Sequence, residues 1–445
     1  MSRALGLHTR EQRAWALYDW ANSAFYTIVV TAVFPAWFTR SPAGALPVDE
    51  AQFAFRAATT IALCIAALAS PLLGALADYA GKRKRYLGVS TACGVLATSA
   101  LAWAGPGDWI FALVAFGVAN VSATLAVVFY DSLLPAVAEP AEYDRVSSAG
   151  FAVGYIGGGL LFGANLVWLG RPDWFGREPD DAAFAISITF ASVALWWGLF
   201  ALPLLRRVRE PRRVLESDEL PTGAALRAAL TRIGETLRAL RGYRNAFLML
   251  LAFLLYSDGI NTIIRFASSF GAARGIDDAT MLRALLAVQL VGFPAALLFG
   301  RLARAISPKR AILAALGVYM LVCVYASRMS TAVDFWILAM LVALVQGGSQ
   351  ALSRSLFASL IPRHKSAEFF AFFSLCEKFG AIFGPLFLTL AAWAGMPDGY
   401  AILSLGLFFV FGALALAKVD VAAGRRAAQE AEASLCTTQA GEARA

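Results

Sequence analysis

Charge is what this chain has least of: Asp, Glu, Lys and Arg make up only 15% of its 445 residues, while 59% are hydrophobic. With a mean hydropathy of +0.65, it departs from soluble domains, where about a quarter of residues are charged and about half apolar. A water-soluble fold could not hide that much apolar surface. Histidine is nearly absent, with His8 and His364 the two present. Without further histidines or an acid-rich motif there is no catalytic metal set. The five cysteines, Cys64, Cys93, Cys323, Cys376 and Cys436, form no CxxC pair, which argues against a disulfide framework or a zinc site. No GxxxxGK[ST] phosphate loop occurs, which speaks against self-contained ATP-driven chemistry. No cofactor is implied.

What is present is a series of long apolar runs. A hydrocarbon core about 30 Å thick needs roughly twenty apolar residues per helix. Runs of that order are expected at 15–38, 53–77, 87–104, 109–135, 149–169, 183–205, 246–270, 281–303, 311–327, 335–361, 368–393 and 400–418. The first run follows Arg3, Arg10 and Arg13, is too long for a signal peptide and lacks a small-residue cleavage site, so it reads as a retained first helix. With the N-terminus inside, the loops carry about 27 Lys and Arg on the inner side and about 5 on the outer. That bias sets the orientation, and twelve helices preserve the alternation. The net charge of +8 is therefore topological, with no basic stripe to suggest nucleic acid.

The longest gap, 206–245, holds ten arginines with Pro211 and Pro221 and reads as a cytoplasmic linker. Within it Leu226, Leu230, Ile233, Leu237 and Leu240 recur every three or four residues, the pattern of a surface-bound amphipathic helix or of a tether with helical propensity. The expected parts are residues 1–205, the linker 206–245, residues 246–418 and a disordered tail, 419–445. An internal repeat supports the division. Gly74-Ala75-Leu76-Ala77 and Gly300-Arg301-Leu302-Ala303 lie about 226 residues apart. At nearly the same offset come Tyr130-Asp131-Ser132-Leu133-Leu134-Pro135 and Phe357-Ala358-Ser359-Leu360-Ile361-Pro362, then Gly154 and Gly158 with Gly380 and Gly384. An all-α membrane protein of two pseudo-symmetric six-helix bundles is the architecture of a rocker-type transporter.

The segment from Gly74 through Asp78 and Gly81 to Arg85 resembles the helix 2–3 signature of the major facilitator superfamily. YDWANSAF (18–25), ADYAGKRKR (77–85), VSSAGFAVGYIGGG (146–159), LYSDGINTII (255–264) and QGGSQALSRSLFASLIP (346–362) are similar to its autophagy-linked vacuolar amino-acid effluxers and their bacterial homologues. The resemblance implies the major facilitator fold, amino-acid efflux, a bacterial inner-membrane location and pore-lining helices 1, 4, 7 and 10. In the second copy, GRLARAISPKR (300–310), Arg304 stands where an acid matches Asp78, so that latch is expected to be weak or differently paired.

Gly81 suits a tight turn and Lys82, Arg83, Lys84 and Arg85 anchor it inside. Asp78 then either gates, pairing in one state only, or is a plain topology anchor. The resemblance points its partners to the loop cations and to the start of helix 11 near Ser366 and Ala367, where the helix dipole favours an anion. Ionisable groups within the spans are costly at the bilayer centre and mark function by default. The acids are Asp19, Asp131, Asp258 and Glu377, and the deeper cations Arg265, Arg354 and Lys378, while Arg56, Arg283 and Arg301 lie near helix ends. Asp19 with Asn22 and Asp258 with Asn261 each share a helix face. Gln346, Gln350 and Ser353 or Arg354 form a polar stripe beside Gly347 and Gly348, fit for binding or for helix packing. Glu377 and Lys378 point about 100° apart and are expected to pair with different helices. Asp131 is expected to meet Arg145 or another loop cation. Asp258 is the leading candidate for coupling or for binding an ammonium group.

A secondary transporter coupling protons to a small solute fits these features best. The alternative, a membrane enzyme acting on lipid or isoprenoid, lacks a metal motif. With both termini and the linker inside, a cysteine placed at position 218 should resist an impermeant thiol reagent in intact cells. Efficient external labelling there would overturn the topology.

Overall fold

The apolar runs become helices whose ends are set by caps and turn residues. The computed structural model describes residues 5–44, 46–175, 182–210, 242–272 and 274–442, and among these every regular element is helical. We number them α1 (Arg10–Arg40), α2 (Val48–Ala80), α3 (Arg83–Trp103), α4 (Trp109–Ser132), α5 (Tyr143–Gly170), α6 (Ala182–Arg207) and α7 (Arg244–Ala272). Then follow α8 (Asp278–Ile306), α9 (Pro308–Ala326), α10 (Ala332–Ala358), α11 (Ser366–Trp393) and α12, in two pieces (Asp398–Ser404 and Gly406–Ala417). The last is α13 (Val421–Glu442). A Thr9–Gln12 capping box starts α1 and a Thr331–Asp334 box starts α10. Gly81, at φ +61°, ends α2 in the left-handed conformation that turns the chain into α3.

Among the described residues, eleven helices are long and apolar enough to cross a bilayer, and α11, 28 residues long and packed between α2 and α7, completes the twelve of the fold. Several begin outside the expected apolar runs, α2 at Val48 and α5 at Tyr143, because a helix continues past the hydrocarbon wherever its polar end can be capped or hydrated.

The two halves repeat one another. α1 packs on α5 and α6, α2 on α4, and α3 on α4 and α6; the second half reproduces each contact with helix numbers raised by six. The halves meet through α2 with α11 and, symmetrically, α8 with α5. Small residues make these approaches possible. A Cβ on Gly74 would lie 2.7 Å from the Ala367 carbonyl oxygen, and one on Gly300 would lie 2.8 Å from the Ser148 Cβ. The sequence repeat at Gly74 and Gly300 therefore marks equivalent contacts between the halves. Within the first half the α5 glycines lie on α1, where a Cβ on Gly157 would sit 2.6 Å from the Trp20 carbonyl oxygen.

Two expectations need comment. The tail expected to be disordered from residue 419 is helical as α13. Asp420 accepts the Ala423 N–H at 2.9 Å, Gly424 lies close against Leu360, and Glu432 accepts the Arg363 N–H at 2.8 Å. A cap and a docked face supply what the small polar composition hides. The surface helix expected in the linker falls largely on 211–241, outside the described residues.

Gly348 tests the packing, since an added Cβ would lie 2.1 Å from the Phe299 ring, whereas Gly317 has nothing within 4 Å. Gly348→Ala should cost about 1–3 kcal/mol and lower the unfolding temperature of the purified protein. Gly317→Ala, measured alongside, should leave it unchanged or raise it.

Candidate functional site

Between the halves lies a cavity of about 950 Å³, opening at the end where α1 stops near Arg40 and α8 starts near Met281. Its walls are mostly apolar, with Tyr26, Thr27, Tyr155, Gln289 and Gln346 supplying polar atoms toward the floor. Tyr26 and Thr27 belong to a wide-turned π-helical stretch of α1, Phe25–Val33, a distortion often found at functional sites. The Thr31 hydroxyl donates to the Tyr26 carbonyl at 2.9 Å. Gln289 joins the halves by donating to the Thr27 hydroxyl at 3.0 Å. Tyr155 reaches from α5 into the other half, between Gly292 of α8 and Gly347 of α10. A Cβ at either glycine would lie 2.6 or 2.4 Å from its ring. Among the described lining residues, Arg40 at the mouth carries the charge.

Below that floor the halves are locked together by Arg354. Its side chain is 4% exposed. From α10 it donates to Asp131 of α4 at 2.9 Å and to Asp19 of α1 at 3.3 Å. The Ser147 hydroxyl and carbonyl accept the remaining bonds at 2.9 and 3.1 Å. Asp19 also accepts the Tyr130 hydroxyl at 2.7 Å, and Trp15 fixes that tyrosine by donating to its carbonyl at 3.0 Å and stacking on its ring. The guanidinium carbon lies 4.7 Å from the Trp15 ring centroid, 4.5 Å from Phe151 and 5.4 Å from Tyr130, within cation–π range. Gly150 is required here, because a Cβ would fall 2.5 Å from Asp19 Oδ2.

Further toward the same end come more contacts between halves. Ser355 donates to Asp144 at 2.5 Å, and Ser366 to the Ser132 carbonyl at 2.8 Å. In the outermost layer, still buried, Asp78 pairs with Arg83 and accepts the Glu368 N–H at 2.9 Å in the first turn of α11. Arg83 donates to the carbonyls of Arg363 and His364 at 3.1 and 2.7 Å, and Arg363 pairs with Glu139 at 2.7 Å. Partial burial would lower the Arg363 pKa, but the Glu139 bond and neighbouring negative charge leave it above its ordinary value. One end is sealed in layers while the other is open.

The residues singled out by sequence separate into distinct places. Gln346 reaches the cavity, Arg354 forms the lock, and Gln350 lies half-buried between them on α10. Asn22 is buried a turn from Asp19, and Asn261 is half-buried on α7. Asp258 is 1% exposed and accepts the Gly384 N–H at 3.0 Å, tying α7 to α11. Lys82 is exposed on the α2–α3 turn. Two expectations are corrected. Glu377 and Lys378 pair with each other at 3.4 Å, because long side chains bridge the angle between neighbours. Asp131 meets Arg354, while Arg145 pairs with Glu142 on its own helix turn. Tyr155, Gln289 and Ser147 were missed, since an uncharged side chain on an apolar helix gives no signal of what it faces. The glycines receiving Tyr155 were the available hint.

Asp78→Asn removes the charge that holds Arg83 against the α10–α11 turn. The sealed end should open more often, so cysteines placed there gain, and those at the cavity mouth lose, reactivity toward thiol reagents. Unchanged reactivity at both ends would reduce Asp78 to a topology anchor.

Comparison with known proteins agrees with this geometry. An MFS-type transporter of Bacillus subtilis, YxiO, is 37% identical over 415 residues, 92% of this chain and 95% of its own. The fungal Autophagy-related protein 22-1 of Penicillium rubens is 26% identical over 264 residues, 54% of this chain and 43% of its own length. Among solved structures, the E. coli fucose:proton symporter superposes with a TM-score of 0.66 at 14% identity, covering 92% of this chain and 98% of that one. The proton:xylose symporter XylE gives 0.65 at 14% identity, covering 91% and 93%. At such identities these two speak for the fold alone. The model of the family described as "Vacuole effluxer Atg22 like" matches residues 47–429, so the chain belongs to that family and is a membrane transporter of the major facilitator type.

Proposed function

We propose that this transporter exports a small organic solute, with amino acids as the cargo class and protons as the coupling ion. The carrying observation is the Arg354–Asp19–Asp131 cluster, which joins one cation of the second half to two carboxylates of the first. Such a lock holds in only one of the two states of an alternating-access cycle. When the halves part, the carboxylates lose their partner, and a proton can neutralise them during the return. Loop charge supports placing the sealed end, both termini and the linker on the cytoplasmic side of a bacterial inner membrane; the cavity then faces outward. The family description as effluxers supports the direction. The lipid- or isoprenoid-enzyme alternative has no support among the relatives, which are transporters.

Purified protein in proteoliposomes should show saturable counterflow of a labelled amino-acid mixture and accumulate it under an imposed pH gradient. Asp19→Asn or Asp131→Asn should abolish gradient-driven accumulation, while exchange survives once the solute is raised to saturation. Normal accumulation with unchanged pH dependence in both variants would clear these acids, and Asp258 and Glu377 become the residues to test.

A further inference from the structure

The surroundings of Arg354 belong almost wholly to the opposite half. Its three rings, Trp15, Tyr130 and Phe151, come from α1, α4 and α5, as do Asp19, Asp131 and Ser147. The first half thus carries a preformed cation pocket of three aromatic faces, two carboxylates, a hydroxyl and a backbone carbonyl. In the sealed state a side chain of the second half fills it.

We propose that the pocket filled by Arg354 is the binding site for the solute's ammonium group in the inward-open state, and that Arg354 is its tethered competitor. When α10 withdraws, it takes the guanidinium with it and leaves the rings and carboxylates, fixed on α1, α4 and α5, facing the inner opening. Aromatic faces and carboxylates recognise an ammonium as they do a guanidinium. The open space needed beside Asp19 is provided by Gly150. As the halves close again, Arg354 returns and displaces the cation toward the outward cavity. The pocket is then out of reach, since Arg354 lies eight residues along α10 from Gln346 on the cavity wall, about 12 Å, and Tyr155 lies between. Affinity is accordingly high from inside and low from outside, which favours loading at the inner face, while the solute and proton gradients set the direction of net movement. The class of ligand is a solute with an ammonium group, an amino acid or amine. The inference rests on the transporter reading above and adds the site and its dependence on state.

Two measurements test it in the full-length protein with its native cysteines replaced. Arg354→Ala empties the pocket, so ethylammonium should raise the unfolding temperature saturably, with at least tenfold weaker binding after a further Asp19→Asn change. No such protection in a folded Arg354→Ala protein overturns the proposal. Should that variant fail to fold, the second measurement decides alone. Glu139→Cys with Arg363→Cys, which face each other across the sealed end, can be bridged by a short bis-methanethiosulfonate linker that locks the sealed state and is released by reduction. The locked form should bind a labelled amino-acid mixture at least tenfold more weakly than the same protein after reduction. Equal affinity in both forms overturns the proposal. Binding in neither form also overturns it; counterflow of some other solute would then leave the transporter reading standing, and absence of all counterflow would remove that too.

Discussion

A buried guanidinium sets the terms for the rest of this structure. An arginine in the interior of a membrane protein is tolerated only if its charge is answered and its donors are bonded. Arg354 achieves this with partners it does not own: both carboxylates, the hydroxyl and the rings sit on helices of the other half. Closure of one end and solvation of this charge are thus the same event. The outer layers, Ser355 with Asp144 and Asp78 with Arg83 and the start of α11, add to a seal whose centre is electrostatic. The cavity above it is left with neutral amides and hydroxyls at its floor.

Close backbone approach is the second requirement. The charged lock has reach only because α5 lies against α1 through glycine and α2 and α8 meet α11 and α5 through Gly74 and Gly300. Lipid tails offer helices no hydrophobic reason to associate, so contact has to be made by shape and by hydrogen bonds. The glycines of the GYIGGG run (154–159) are such packing surfaces, with Gly154, Gly157 and Gly158 against α1.

The pseudo-symmetry is structural and not chemical. Gly74 and Gly300 occupy matching contacts, yet the acid at Asp78 has Arg304 as its counterpart, and Arg304 is exposed. In the second half the basic turn reaches its own C-terminal connection, with Lys309 donating to the carbonyls of Ala417 and Val419 at 2.7 and 2.8 Å. α13 adds a one-sided support, binding the α10–α11 turn through Glu432. The outermost latch is therefore asymmetric, made by the first half's turn on the second half's helices.

Composition and periodicity were enough to establish the membrane class, the helices and the repeat, because a bilayer demands about twenty apolar residues per crossing whatever the neighbours are. They also marked Asp19, Asp131 and Arg354 as costly residues needing partners. Pairing was a different matter. Asp131 and Arg354 are 223 positions apart, so nothing local relates them. Adjacent Glu377 and Lys378 looked bound for different helices and instead meet each other. Tyr155 and Gln289 are unremarkable in sequence and gain their role from facing the other half. The disposition of helices decides which charges meet, since an ion pair is governed by distance in space, and the order of residues along the chain carries almost none of that information.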